Sequence, residues 1–381
     1  MERRDVTGQA VVAGVSAAAV GYASSVAVVI AGLTAAGATT GQVSSGLVAL
    51  GVLTAVTSVA LSARLRIPVA VVWSTPGCAV LVGVGLLDGG FGVAVGGLLV
   101  AAALVVVTGL VRPLTRLVAR LPAALTSAVL AGVLLPFCLQ PARAVADLPV
   151  QAGAIALVWL IAQRFATAWA APAALLALVA VVVLGGDVPP VAGGVPALGV
   201  VTPALSVEAV LRIAVPVYLV TMAGQNLVGV AVLAAQGYRP PVGTLLVGTG
   251  AAAAVGAPFG APTLNLAAIT GALTAGPQAH PDPARRWPAA AAAGLTYLAL
   301  AMVAPLTSAF VTGVDPRLVA TAAGLALVPA LAGAAAAALR DDATRLPALL
   351  TLLVAGSGTS GAPAVGLIVG LAALALGRPA R

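Results

Sequence analysis

Two breaks place polar side chains inside apolar sequence. The first is Trp73-Ser74-Thr75-Pro76-Gly77-Cys78-Ala79; the second is Pro258-Phe259-Gly260-Ala261-Pro262-Thr263-Leu264-Asn265. Neither can be an ordinary membrane-spanning helix, because glycine and proline interrupt each run. Proline is acceptable as a first helical residue, where its missing N–H would be orphaned anyway. A helix is therefore expected to begin at each break, running from Thr75 to Leu87 in the first case and from Pro262 to about Gly276 in the second. Residues 68–73 before the first helix read as an extended, β-branched lead-in. Such helices would turn free N–H groups and positive dipole ends into a membrane interior, which is chemistry for holding an anion. Irregular backbone at that depth is tolerated only where it is buried in protein or lines a cavity. A matched pair of broken helices marks a transporter's binding site.

Aligned aromatic on aromatic and proline on proline, the breaks offer Trp73, Ser74, Thr75, Phe259, Gly260, Thr263 and Asn265 as substrate contacts. Ser74 and Thr75 also suit the capping of their own helix. Asn265 is expected just inside the second half-helix. Tyr22 and Ser25 in the first apolar segment, and Gln225 and Asn226 in the eighth, fall at similar depths. Gln225 and Asn226 are costly in lipid, so they must face protein or a water-filled cavity. Contact with substrate and helix–helix bonding both remain open for them. The aromatic residues serve equally as walls of a site or as core.

The ten acidic residues all lie in loops, tails or span ends. Amide and hydroxyl donors without fixed negative charge suit a carboxylate or another small anion, and a cation would lack a counter-ion. Glu208 lies near a helix end. An intramembrane enzyme would need a nucleophile with a base, or a metal cluster, within the spans. The single His280 falls in a loop, and Cys78 and Cys138 read as inert buried thiols. No enzyme, cofactor or metal is expected.

Composition dictates the elements that must carry these residues. Hydrophobic residues make up 61% of the 381 and charged residues 7%. Apolar runs follow one another at about 9–34, 42–62, 67–87, 91–111, 121–139, 149–163 and 166–185. After a Gly/Pro-rich connection they resume at 208–235, 241–256, 258–276, 288–310, 317–339, 345–356 and 361–377. The expected fold is an all-α polytopic membrane protein of fourteen segments. Seven per half forces the second repeat, 191–381, to enter the membrane inverted relative to the first, 1–190. With the N-terminus cytoplasmic, fifteen of the eighteen arginines fall on the cytoplasmic side, and only Arg143, Arg212 and Arg317 on the other. That bias places both termini inside. The net charge of +8 is spread over short loops, which gives nucleic acid no basic domain to meet.

Three further stretches carry a resemblance. They are Thr221-Met222-Ala223-Gly224-Gln225-Asn226; Pro258-Phe259-Gly260 with Asn265-Leu266-Ala267-Ala268-Ile269-Thr270; and Ala275-Gly276-Pro277 with His280 to Trp287. In this order they resemble the BenE-type benzoate/proton symporter family over nearly the whole chain. The resemblance implies the inverted seven-plus-seven fold of uracil transporters and sulfate-type exchangers. It implies a core domain (1–115 and 205–312), a gate domain (116–190 and 313–381), and strand-plus-half-helix units as the third and tenth segments. A homodimer is compatible with that fold. The function it implies is import of a benzoate-like anion with a proton across a bacterial inner membrane, the proton's candidate carriers being Glu208 near a helix end and the substrate's own carboxyl. An uncoupled anion channel, or a transporter of another small anion or a nucleobase, is the alternative.

Overall fold

The computed structural model describes residues 2–190, 194–359 and 361–376. Helices dominate, since backbone in lipid must bond to itself. Helices α1 (Glu2–Ala35) and α2 (Thr40–Leu65) come first. A short strand β1 (Val71–Trp73) and α3 (Thr75–Val84) follow as one interrupted unit, then α4 (Phe91–Leu110). A short α5 (Arg112–Ala119) leads into α6 (Ala123–Cys138), α7 (Gln140–Asp147), α8 (Pro149–Phe165) and α9 (Ala170–Gly185). Helix α10 (Val207–Ala235) opens the second half and contains two π-helical turns, Val210–Ala214 and Met222–Asn226. Helix α11 (Val242–Gly256), strand β2 (Leu264–Leu266) and α12 (Ile269–Ala275) come next. Helices α13 (Trp287–Ala301), α14 (Ala304–Gly313), α15 (Pro316–Ala338), α16 (Asp342–Ala355) and α17 (Ala362–Leu376) complete the chain.

Among the described residues, eight helices are long and apolar enough to cross a bilayer. The expected span 288–310 is two helices, α13 and α14, bent by 62°. Pro305, in the first turn of α14, has no N–H to give the Ala301 carbonyl, so the helix breaks there.

Contacts sort the helix ends onto two opposite faces. On one, Gln9 Nε2 donates to the Gln278 carbonyl (3.2 Å), Tyr238 Oη to the Pro283 carbonyl (2.8 Å), and Arg66 lies over the Trp287 ring at 5.1 Å. His280 belongs to this face as a loop residue, its Nδ1 accepting from the Asp282 N–H (2.8 Å). On the other face, the connection before α10 is stitched down by three amides. Gly199 N–H donates to Ser45 Oγ (2.9 Å), Val201 to the Pro258 carbonyl (2.7 Å) and Ala204 to the Gly92 carbonyl (2.9 Å).

The two interrupted units meet through their strands. β1 and β2 pair antiparallel, Val71 with Leu266, Val72 with Asn265 and Trp73 with Leu264. A two-stranded ribbon in an apolar interior leaves two unpaired edges, and each has a side-chain partner. Ser62 Oγ accepts from the Val69 N–H and Ser58 Oγ from the Val71 N–H, both at 3.0 Å. These serines stand four residues apart, on one face of α2. On the β2 edge, Asn226 Oδ1 accepts from the Leu266 N–H (3.0 Å).

The second break corrects the expectation from sequence. No helix begins at Pro262. A 3₁₀ turn, Ala257–Phe259, closes α11, and Gly260 then takes a left-handed φ of 81°. Residues 261–263 take no regular structure, and Pro262 disfavours helix at Ala261 before it. Strand pairing keeps 264–266 extended, so the half-helix starts only at Ile269. Asn265 is therefore a strand residue.

Candidate functional site

The best-formed candidate lies at the N-terminal end of α3, against the strand crossing. Ser74 is the N-cap, its Oγ accepting from the Gly77 N–H at 3.1 Å. Its own N–H donates to the Thr263 carbonyl (2.7 Å), and Cys78 N–H to the Ser74 carbonyl (2.9 Å). Pro76 has no N–H. Among the described residues, that leaves the Thr75 N–H as the one amide of this helix end without an acceptor. Thr75 itself is half-buried.

Two buried polar atoms in and beside β2 also lack partners, Thr263 Oγ1 and Asn265 Oδ1; a third, Tyr22 Oη, belongs to the side chain packed on Trp73. Asn265 and Thr263 are shielded from solvent, and Asn265 Nδ2 is used on the Leu266 carbonyl (2.8 Å). Buried polar groups are normally bonded, and leaving one bare costs about 1–3 kcal/mol, so unpaired atoms grouped at a helix N-terminus have the character of a ligand site.

Trp73 is fixed from two sides. Its Nε1 donates to Ser25 Oγ (3.0 Å), which in turn donates to the Gly21 carbonyl (2.7 Å). Its ring meets Tyr22 and Tyr297 edge-on, with centroids 5.7 and 5.1 Å away. Such aromatic pairs each contribute about 0.5–1.5 kcal/mol beyond burial. Tyr297 is a member that the sequence does not reveal, because nothing but its aromaticity separates it from the apolar residues of α13. It closes on bare backbone, since a Cβ on Gly21 would stand 2.5 Å from its hydroxyl.

The α10 residues divide. Thr221 Oγ1 lies 2.7 Å from Ser74 Oγ and ties α10 to the cap of α3. Both ends of the Asn226 amide are engaged within the protein, Oδ1 on Leu266 and Nδ2 on Met222 Sδ (3.4 Å). Gln225 is half-buried and makes no hydrogen bond among the described residues. Both amides sit in the π-helical turn, an irregularity frequent at functional sites. Phe259 and Gly260 are not brought to the crossing. They lie at the end of α11, where the Phe259 carbonyl accepts from Ser45 Oγ (2.8 Å). Glu208 is elsewhere too, paired with Arg212 at 2.6 Å.

Among the described residues, charge meets the half-helices at their far ends. Arg212 Nη2 donates to the Val84 carbonyl at the C-terminus of α3 (3.3 Å). Arg286 Nη1 donates to the Ala275 carbonyl at the C-terminus of α12 (2.9 Å), and its Nε and Nη2 to His280 and Pro281 carbonyls. A cation at a helix C-terminus complements the dipole whose positive end lies at the other terminus.

Comparison with known proteins bears on this arrangement. The family described as benzoate membrane transport protein, BenE, matches residues 4–376. Inner membrane protein YdcO of Escherichia coli is 38% identical over 94% of this chain and 93% of its own. Benzoate membrane transport protein of Acinetobacter baylyi is 30% identical, over 93% of this chain and 91% of its own. In fold, the transmembrane domain of the cyanobacterial bicarbonate transporter BicA superposes with a TM-score of 0.64 at 18% identity. That match covers 96% of this chain and 97% of that one. SLC26A9 gives a TM-score of 0.56 at 12% identity, over 88% and 64%. The chain belongs to the BenE family. It is a multi-pass membrane transporter, and that family is one of transporters rather than enzymes.

Proposed function

We propose that this member of the BenE family imports an aromatic carboxylate of the benzoate type together with a proton. The carrying observation is the α3 N-terminus. One free amide, at Thr75, and unpaired Thr263 and Asn265 atoms lie at the strand crossing; Asn265, opposite Val72, projects from one face of the ribbon, and Trp73, opposite Leu264, projects from the other to pack with Tyr22 and Tyr297. The Thr75 N–H and the Thr263 hydroxyl supply donors to a carboxyl group, and Tyr22 serves with Trp73 as part of the aromatic wall. The Asn265 carbonyl oxygen supplies an acceptor, which a carboxylate cannot use and a protonated carboxyl can. Among the described residues no carboxylic acid accompanies these atoms, so the proton travels on the substrate's own carboxyl, with Glu208 as the remaining alternative. Gln225 completes the set from α10, and Ser25 and Ser74 position Trp73 and the cap. Phe259 and Gly260 have no contact role in this reading.

The proposal includes fourteen segments in two inverted repeats, 1–190 and 191–381, with both termini cytoplasmic in a bacterial inner membrane. A core (1–115 and 205–312) would carry the site past a gate (116–190 and 313–381), as a monomer or within a homodimer. The named benzoate transporter among the relatives favours the substrate class. In proteoliposomes given only an inward proton gradient, the protein is expected to concentrate labelled benzoate. Benzoate that merely equilibrates would mean an uncoupled channel, and no benzoate flux with flux of another anion or uracil would move the substrate.

A further inference from the structure

We propose that Arg212 and the cleft it lines form a second carboxylate site, an outer vestibule that captures the substrate before it reaches the strand crossing. This rests on the aromatic-carboxylate reading above for the identity of the ligand. The cleft is at the opposite end of α3 from Thr75, and ten helical residues separate the two by about 15 Å.

The guanidinium has three edges in use or on offer. Nη1 holds the Glu208 carboxylate at 2.6 Å and Nη2 the Val84 carbonyl at 3.3 Å. Nε is buried and has no partner. Arginine donors arrayed in a plane can serve two carboxylates at once, so the spare edge is a place for a second one. The Glu208 contact shows that a carboxylate seats on this group.

The cleft beside it has about 70 Å³ of free interior and about 510 Å³ counted out to its mouth. The interior has room for several waters, enough for a carboxylate with its ring extending outward. Its walls are apolar, with Val80 and Gly83 on α3, Val133 and Phe137 on α6, and Pro363 on α17. Arg212 is the one charged residue among the described residues of its lining. With Glu208 already on one edge of Arg212, the cleft offers a directional donor, Nε, against apolar walls, which suits a monocarboxylate with a hydrophobic body. The walls come from α3 and α10 on one side and from α6, α16 and α17 on the other. A ligand here would thus touch both groups of helices that the transport reading moves apart.

Gly83 provides the test, because a Cβ there would meet nothing within 4 Å. Gly83→Cys is introduced into the full chain carrying Cys138→Ala, Cys78 being fully buried. In proteoliposomes, its modification is timed with an anionic sulfonatoethyl and a cationic trimethylammonioethyl methanethiosulfonate, with and without benzoate. The anionic reagent is expected to react faster, Arg212→Gln to lower the anion-to-cation rate ratio about tenfold, and Arg212→Lys to retain most of it. Benzoate should slow modification only when residue 212 is cationic. Gly83→Leu, which leaves the Arg212 bonds intact, should raise the KM for benzoate uptake more than it lowers kcat.

Equal reagent rates insensitive to Arg212→Gln, or no protection by benzoate, would overturn the vestibule. If the unaltered protein takes up benzoate while the Gly83→Cys thiol shows no Arg212-dependent preference, the vestibule alone fails. If the preference and protection are present but benzoate is not transported, the transport reading fails and the vestibule stands.

Discussion

Ser74 Oγ and Thr221 Oγ1 stand 2.7 Å apart and join the cap of the half-helix α3 to the long helix α10. The same Ser74 oxygen accepts from Gly77, so one side chain both terminates α3 and anchors it. Ser74→Ala removes both bonds. Loss of an N-cap costs about 0.5–2 kcal/mol, and the melting temperature in detergent should fall accordingly. Thr221→Val should cost less, because it spares the cap. Equal melting temperatures for the two variants would contradict this division.

Asn265→Ala removes an unpaired buried oxygen and a bond to the Leu266 carbonyl. Benzoate affinity, measured by calorimetry on purified protein, should weaken about tenfold, the scale of one lost hydrogen bond to a charged or acidic group. The fold should persist, since strand pairing is backbone-borne. Unchanged affinity would remove Asn265 from the site.

Asn226→Leu should act on stability instead. It strips the Leu266 N–H of its acceptor in a buried ribbon, which costs about 1–3 kcal/mol. A lower melting temperature and faster amide exchange at β2 are expected. A variant as stable as the parent would mean that water replaces the amide.

Trp73→Phe keeps an aromatic ring between Tyr22 and Tyr297 but deletes the donor to Ser25. Binding of benzoate should weaken by only a few-fold, and the variant Trp73→Ala should lose far more. Similar losses in both would assign the contribution to the indole N–H.

Asp315 caps α15, accepting from the Arg317 N–H at 2.8 Å and pairing with its guanidinium at 2.7 Å. The hydrogen bonds from the Arg317 side chain hold the Asp315 carboxyl below the usual carboxylate range, outweighing burial, which opposes them. A depressed folded value means that the stabilisation is present above the unfolded value of about 4 and is lost as pH falls through the folded one. Asp315→Ala should lower stability at neutral pH by about 0.5–2 kcal/mol and flatten the acid limb of the melting profile below about pH 4. An unchanged acid limb would refute this.

How far the sequence can be read depends on how local the cause is. The first break is legible because Ser74, Thr75 and Pro76 carry their own helix-starting chemistry. The second is legible only as a break. What keeps Leu264, Asn265 and Leu266 extended is β1, nearly two hundred residues earlier, together with Asn226, and no local signal announces either. The proline-on-proline alignment therefore draws Phe259 and Gly260 into a site from which the structure separates them. Asn226 reads as a polar residue in need of a partner, and that partner turns out to be a strand edge. Tyr297 could not be found, because a lone aromatic in an apolar helix carries no mark of what it touches.

The arginines at Val84 and Ala275 give the two short helices a shared asymmetry. Each is tethered by a guanidinium at its C-terminal end and follows a strand at its N-terminal end, so both ends are held against sliding along the axis. Ribbon and guanidinium ties thus join the two rods into a single mechanical unit at the heart of the helix bundle.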